Sequence, residues 1–209
     1  MHDTLIKSLS VPAAIEARRS IRDFDIAPLA DSDVHEILRL ASLAPSSSNT
    51  QPWRFVVVTN DDMRVKLREA GFNQRQYATA PVIIAVIADG EDMLASLEET
   101  AHPNMQNDPA ALDRYINGTR SRLAKLSVEE RQAWAAEQTV YAVSYLTLAA
   151  QSMGYDTSVM GGFDGAKVAA LLDIPAHAKV VVMVTLGRGT EPGFPHHRHS
   201  VNRISRFIK

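Results

Sequence analysis

The sequence predicts a mixed α+β fold, and three observations carry that reading. Residues 54–59, 81–88 and 179–186 are apolar runs crowded with β-branched side chains, the signature of strands buried on both faces. Helical patterns occupy the intervals between them. Those patterns do not alternate with the strands as regular βαβ units would, which disfavours a doubly wound parallel sheet. With 209 residues, 45% of them hydrophobic, the chain is long enough to bury roughly 70% of its unfolded surface, and one domain over 1–209 is expected.

In chain order, a helical stretch begins near Val11 and ends in Arg18-Arg19-Ser20-Ile21-Arg22-Asp23-Phe24. Val34, Ile37, Leu38 and Ala41 then follow the i, i+3, i+4, i+7 spacing of an amphipathic helix. Oxygens from Asp31 to Asp33 are expected to cap it, and Pro45 to stop it. The first two strands come next. Residues 89–131 change character, because Pro103, Pro109, Asn104, Asn107 and many charges interrupt any long apolar period. This predicts an exposed helical excursion, a candidate lid or partner-contacting segment. Ser127-Val-Glu-Glu130 fits a capping box, so a long helix should follow. Its later part is apolar nearly all round, through Val140, Tyr141, Val143, Tyr145, Leu146, Leu148, Ala149 and Ala150. That pattern predicts burial in a large core or between subunits, with Gly154 capping the end.

Composition narrows the chemistry. A formal net charge of -2 leaves no global basic field, so nucleic acid is not an expected partner. The absence of cysteine removes disulfides, thiolate nucleophiles and cysteine-ligated clusters, so any redox activity must come from a bound cofactor. The longest apolar runs fall far short of the ~18 residues a membrane span needs, and the first residues lack a secretory pattern. A cytoplasmic protein with no membrane partner is expected.

Four clusters are candidate sites. Arg18, Arg19, Ser20 and Arg22 could hold a phosphate through guanidinium forks, or could simply complement a helix C-terminus. The loop Ala44-Pro-Ser-Ser-Ser-Asn-Thr-Gln-Pro-Trp53 offers small polar side chains fixed by two prolines, either as a binding loop or as a plain turn. Gly161-Gly162 allows close approach of the backbone to something flat, or a tight helix-to-helix connection. Pro195-His-His-Arg-His-Ser200 reads better as a basic loop than as a metal site, since no carboxylate or cysteine lies nearby in sequence.

Together these clusters resemble the flavin-dependent nitroreductase family over nearly the whole chain. The segment 18–24 is similar to its RRSxRxF motif, 44–53 to its APSxxNxQPW motif, Phe72-Asn73 to its mid-chain asparagine, and Gly161-Gly162 to its flavin-face turn. The resemblance implies a nitroreductase-like α+β fold, with a central, mostly antiparallel sheet flanked by helices, in an intertwined homodimer. It implies two FMN sites at the subunit interface, each built from both chains, with NADH or NADPH as electron donor. By position in the motifs, Arg18, Arg19 and Ser20 would hold the phosphate and ribityl chain, and Arg198 would close on the phosphate. Arg22 and Asn73 would lie at the pyrimidine edge, and Met160, Gly161 and Gly162 against one ring face. Pro45, Ser46, Ser47 and Asn49 would reach the flavin of the other subunit.

The implied activity is ping-pong reduction of small-molecule acceptors such as nitroaromatics or quinones, with no catalytic side chain named, because the cofactor carries the chemistry. Another acceptor class on the same fold, such as an enone, an aldehyde or a halogenated ring, is the alternative. So is a flavin-binding protein without turnover. Gln76, Gly161 and His196 or His197 depart from the pattern, which has a lysine, a glutamate and a lysine at these places in many relatives.

Overall fold

The structure, a computed structural model, describes residues 9–209. In chain order its elements are α1 (Val11–Ala17), β1 (Phe24–Asp25), α2 (Asp31–Ser42), β2 (Trp53–Val58), α3 (Asp61–Ala70), α4 (Gln76–Thr79), β3 (Val82–Ala88), α5 (Gly90–Ala95), α6 (Leu97–Thr100), α7 (Pro103–Gln106), α8 (Pro109–Leu123), α9 (Val128–Ser152), β4 (Asp156–Met160), α10 (Gly165–Leu171), β5 (Lys179–Gly189) and α11 (Val201–Ile204). Five strands form one sheet in the order β1-β5-β3-β2, with β4 also paired to β5. Among the described residues every strand pair is antiparallel, and a single parallel bridge joins Ser20 to Thr157.

The alternation of β3 explains why its sequence is apolar throughout. Val82, Ile84 and Val86 pack under α2 and α9 against Ile37, Ala41, Leu146 and Ala150. Ile83, Ala85 and Ile87 face the other way, against Leu67 and Ala70 of α3, Tyr77 of α4 and Val168 of α10. The sheet is thus the middle of three layers, and each fully buried aliphatic side chain contributes about 1.5–3 kcal/mol relative to exposure.

Several expectations need correction. The helix over 31–42 is capped at Ala30 with no side-chain hydrogen bond; Asp31 and Asp33 lie in its first turn, and Asp33 accepts a hydrogen bond from Tyr155 instead. Gly161-Gly162 joins a strand to a helix, not two helices. The long helix α9 begins on its capping box as expected, with Ser127 Oγ accepting from Glu130 N–H at 3.1 Å. On a single chain Val140, Tyr141 and Tyr145 are 49%, 50% and 44% exposed, so the chain's own core covers only part of the apolar surface of α9. The segment 89–131 folds as α5 to α8, joined to the body by Met93, Leu97, Ile116 and Leu123. None of the described helices is long and apolar enough to cross a membrane.

Candidate active site

The arginine cluster starts where α1 ends. The main chain leaves helical geometry at Arg18 (φ -54°, ψ 127°), and Ile21 N–H then donates to Thr157 O at 3.0 Å, which lays the segment along β4. Arg18, Arg19, Ser20 and Arg22 line a cavity of about 160 Å³ that Phe194, Pro195, His196 and Arg198 close from the C-terminal side. Partial burial, then the positive charges of Arg198 and Arg19, hold the Arg18 guanidinium below its ordinary pKa. Among the described residues none of these four arginine side chains forms an ion pair. Four like charges around one small cavity repel one another, and an anion between them removes that cost.

The helix-terminus reading of this cluster holds for Arg19. Arg19 Nη1 donates to the carbonyls of Glu16 (2.6 Å), Ala17 (3.0 Å) and Arg18 (3.0 Å), so it caps the C-terminus of α1 while lining the cavity. His196 Nε2 lies 2.8 Å from the Arg18 carbonyl, which can only accept. That nitrogen therefore carries a proton and donates, and its 3.0 Å approach to Arg19 Nη1 is proximity between two donors.

Asn73 and the glycine pair are drawn to the same side by ties that individual motifs do not reveal. Gln74 Nε2 donates to Gly71 O at 2.9 Å and to Gly162 O at 2.6 Å, while its Oε1 accepts from Gln76 Nε2 at 3.2 Å. Asp164 N–H adds a bond to Ala70 O at 2.8 Å. The loop after α3 and the turn after β4 are therefore one assembly. Gln76 is a buried part of this amide relay, not a projecting site group. Asn73 itself is exposed in the left-handed region (φ 53°), beside exposed Phe72 (φ 57°). Met160 is buried against β5, and Gly161 has nothing within 4 Å of where a Cβ would stand.

Arg75 joins this assembly to the arginine cluster. Its guanidinium pairs with Asp23 and lies 3.8 Å from Glu191, whose other oxygen accepts from Arg22 N–H at 2.9 Å. Gln74, Arg75, Glu191 and Phe194 escaped the sequence reading. Only their partners, far along the chain, mark them; Phe194 lies under the Arg22 guanidinium at 5.5 Å.

The loop over 44–52 goes elsewhere. Strand register puts Trp53, which follows it, opposite Ala88, and Ala88 opposite Lys179, at one end of the sheet. Ser20 bridges Thr157, which pairs with Leu186 and through it with Val82, at the opposite end. The length of β3 separates the two, about 20 Å at ~3.3 Å per residue. Within one chain, Pro45, Ser46, Ser47 and Asn49 are therefore not brought to the arginines. Ser46 Oγ accepts from Gln51 N–H (3.0 Å), Ser47 N–H donates to Gln138 Oε1 on α9 (2.8 Å), and Asn49 Nδ2 donates to Thr100 O (2.7 Å). Pro45 is exposed.

The nitroreductase family model matches residues 15–188, a span that holds Arg18 to Arg22, the loop over 44–52, Asn73 and the Gly161-Gly162 turn, but neither Glu191 nor the wall from Phe194 to Arg198. The chain belongs to the nitroreductase family. A relative from Thermus thermophilus named NADH dehydrogenase is 37% identical over 196 residues, covering 94% of this chain and 95% of that protein. An oxygen-insensitive NADPH nitroreductase of Helicobacter pylori is 27% identical over 181 residues, covering 83% and 85%. Among solved structures, a nitroreductase fold from Exiguobacterium sibiricum in complex with FMN superposes with a TM-score of 0.89 at 25% identity, covering 97% of this chain and 99% of that one.

Proposed function

We propose that this chain is an FMN-dependent NAD(P)H oxidoreductase that acts as a cytoplasmic homodimer and reduces nitroaromatics, quinones or related acceptors in ping-pong fashion. The single observation that carries the cofactor is the cluster of Arg18, Arg19, Arg22 and Arg198, unpaired among the described residues and facing one cavity. A phosphate monoester dianion is the ligand whose charge and oxygens such a cluster fits. When bound, FMN supplies the two-electron chemistry, accepting hydride from NAD(P)H and passing it to the acceptor in turn.

The chain's own residues bind and orient. Arg18 and Arg198 hold phosphate oxygens, Ser20 adds a hydroxyl, and Arg19 contributes charge while capping α1. Asn73 offers its amide to the pyrimidine edge beside Arg22, and the Gln74 relay fixes the distance between that edge and the Met160-Gly161-Gly162 turn. The open space at Gly161 leaves one ring face accessible for a stacked donor or acceptor. The sheet register favours a composite site, in which Pro45, Ser46, Ser47 and Asn49 serve the partner's flavin.

Adding FMN to purified protein is expected to raise its melting temperature, because a ligand bound only by the native state stabilises it. Arg18→Ala should weaken FMN binding by about 1.5–3 kcal/mol, the worth of one charged hydrogen bond. Anaerobic mixing with NADH or NADPH should bleach the flavin band near about 450 nm. A colourless protein that FMN does not stabilise rejects the cofactor; bound flavin that neither nucleotide bleaches rejects the reductase.

A further inference from the structure

The loop over 44–52 has a roof. Tyr115 Oη, on α8, donates to Ser48 O at 2.9 Å, and Arg122 Nη2, about two turns further along the same face, donates to Ser48 Oγ at 3.3 Å. Ser48 is itself held in the left-handed region (φ 55°), so its side chain and carbonyl are aimed by the backbone toward α8. The Arg122 guanidinium also lies 5.6 Å from the ring centroid of Trp134 on α9. A guanidinium against an aromatic face keeps its in-plane N–H groups available at the edge, and loses less freedom than an unsupported side chain when it binds an oxyanion.

The charge on α8 itself is mostly positive, whereas α9 carries Glu130 and Glu137 within one turn of Trp134. Among the described residues Arg122 forms no ion pair. Arg114, Arg120 and Lys125 are exposed on α8 and the turn after it, and the one acidic residue of α8, Asp113, accepts from Asn117 at 2.7 Å. The other side of the loop is acidic: α6 carries Glu98 and Glu99 and ends at Thr100, which holds Asn49. An anion at this loop is therefore drawn to α8 and repelled from α6.

We propose that Arg122, braced by Ser48 and Trp134, binds the 2′-phosphate of NADPH and makes this chain prefer NADPH to NADH. The inference rests on the reductase reading above, since it needs a nicotinamide donor arriving beside this loop. Among the described residues the sheet is antiparallel and holds no βαβ phosphate turn for the dinucleotide, so side chains must distinguish the two nucleotides. They differ only by that phosphate, whose dianion a planar fork can grip in bidentate fashion.

The test compares the FMN-loaded wild type with Arg122→Gln and Arg122→Lys. First, binding of 2′,5′-ADP and of 5′-AMP is measured by calorimetry, which needs no turnover. Second, kcat/KM is measured for both nucleotides. The wild type should bind 2′,5′-ADP more tightly than 5′-AMP, and Arg122→Gln should erase the difference. The same variant should lose about tenfold in kcat/KM with NADPH, through KM, and little with NADH, while Arg122→Lys recovers part of the loss. Equal losses with both nucleotides would make Arg122 a brace for the loop and overturn the proposal, as would a wild type that binds the two ADP and AMP probes alike. Failure of the reductase reading is a different result: flavin that neither nucleotide reduces.

Discussion

The hydroxyl of Tyr77 is buried with no hydrogen-bond partner among the described residues, although the ring around it packs between α3 and the sheet. Burial pushes its pKa well above the ordinary value of about 10. Above about pH 10 the unfolded chain gives up this proton while the folded chain keeps it. The unfolded state then binds fewer protons, so stability falls as pH rises. Tyr77→Phe removes an unsatisfied polar group and keeps the ring. It is expected to leave stability at pH 7 unchanged or raise it by up to about 1 kcal/mol. It should also flatten the alkaline decline, but not abolish it, because Tyr155 is raised too, by burial and then by its bond to Asp33. Urea unfolding at neutral and alkaline pH measures both effects; a clear loss of stability at pH 7 would mean that the hydroxyl has a partner. Residues of this kind are invisible in sequence. The types that carry charge or small size, Arg18, Asn73 and Gly161, could be read from motifs, whereas the relay through Gln74 exists only because Gly71 and Gly162 meet in space.

At the scale of elements, the end of α3 shows how packing sets a loop. Gly71 has an ordinary φ of -88°, so space and not conformation requires glycine here. A Cβ built on it stands 2.5 Å from Tyr77 Cε2 and 2.7 Å from Cζ. Phe72 and Asn73 follow directly in the left-handed region, and Asn73 N–H donates back to Arg68 O at 2.9 Å. Gly71→Ala should therefore move the ring or the loop, cost about 1–3 kcal/mol by overpacking, and weaken FMN binding through Asn73. Thermal melts with and without FMN test this, and wild-type values in both would show that the loop position does not depend on this contact. Element types were legible where one pattern dominated, as in β3 and in the capping box of α9. The strand β4 was not: Asp156, Thr157 and Ser158 are polar, and it counts as a strand only through its register with β5. The two-residue β1 was equally hidden, since Phe24 and Asp25 acquire strand geometry from Gly189 and Arg188.

For the whole molecule, the sheet register keeps Ser20 and Trp53 at opposite ends, so one chain does not assemble all the residues that the motifs bring together. Two apolar surfaces of the single chain point to how a second copy completes them. Leu9, Val11, Leu40, Leu43, Tyr145 and Leu148 line an open groove of about 670 Å³ between α1, α2 and α9. Val201, Ile204, Phe207 and Ile208 are 65–86% exposed in the C-terminal segment, far more apolar surface than a short tail normally leaves in water. The all-round apolar pattern of α9 is thus a property of the dimer proposed here, with one face spent on the chain's own core and the other on its partner. Tyr145→Asp places a charge on the outer face, where a folded monomer tolerates it and an interface does not. This variant is expected to shift the protein from dimer to monomer in size-exclusion chromatography with light scattering. Because the proposed flavin site takes Ser46, Ser47 and Asn49 from a second chain, that proposal expects FMN to be lost in step with the dimer, while the circular dichroism of the monomer stays native. Removal of residues 200–209 should act in the same direction. A monomer that keeps wild-type FMN affinity would place the whole flavin site within one chain and overturn the composite arrangement.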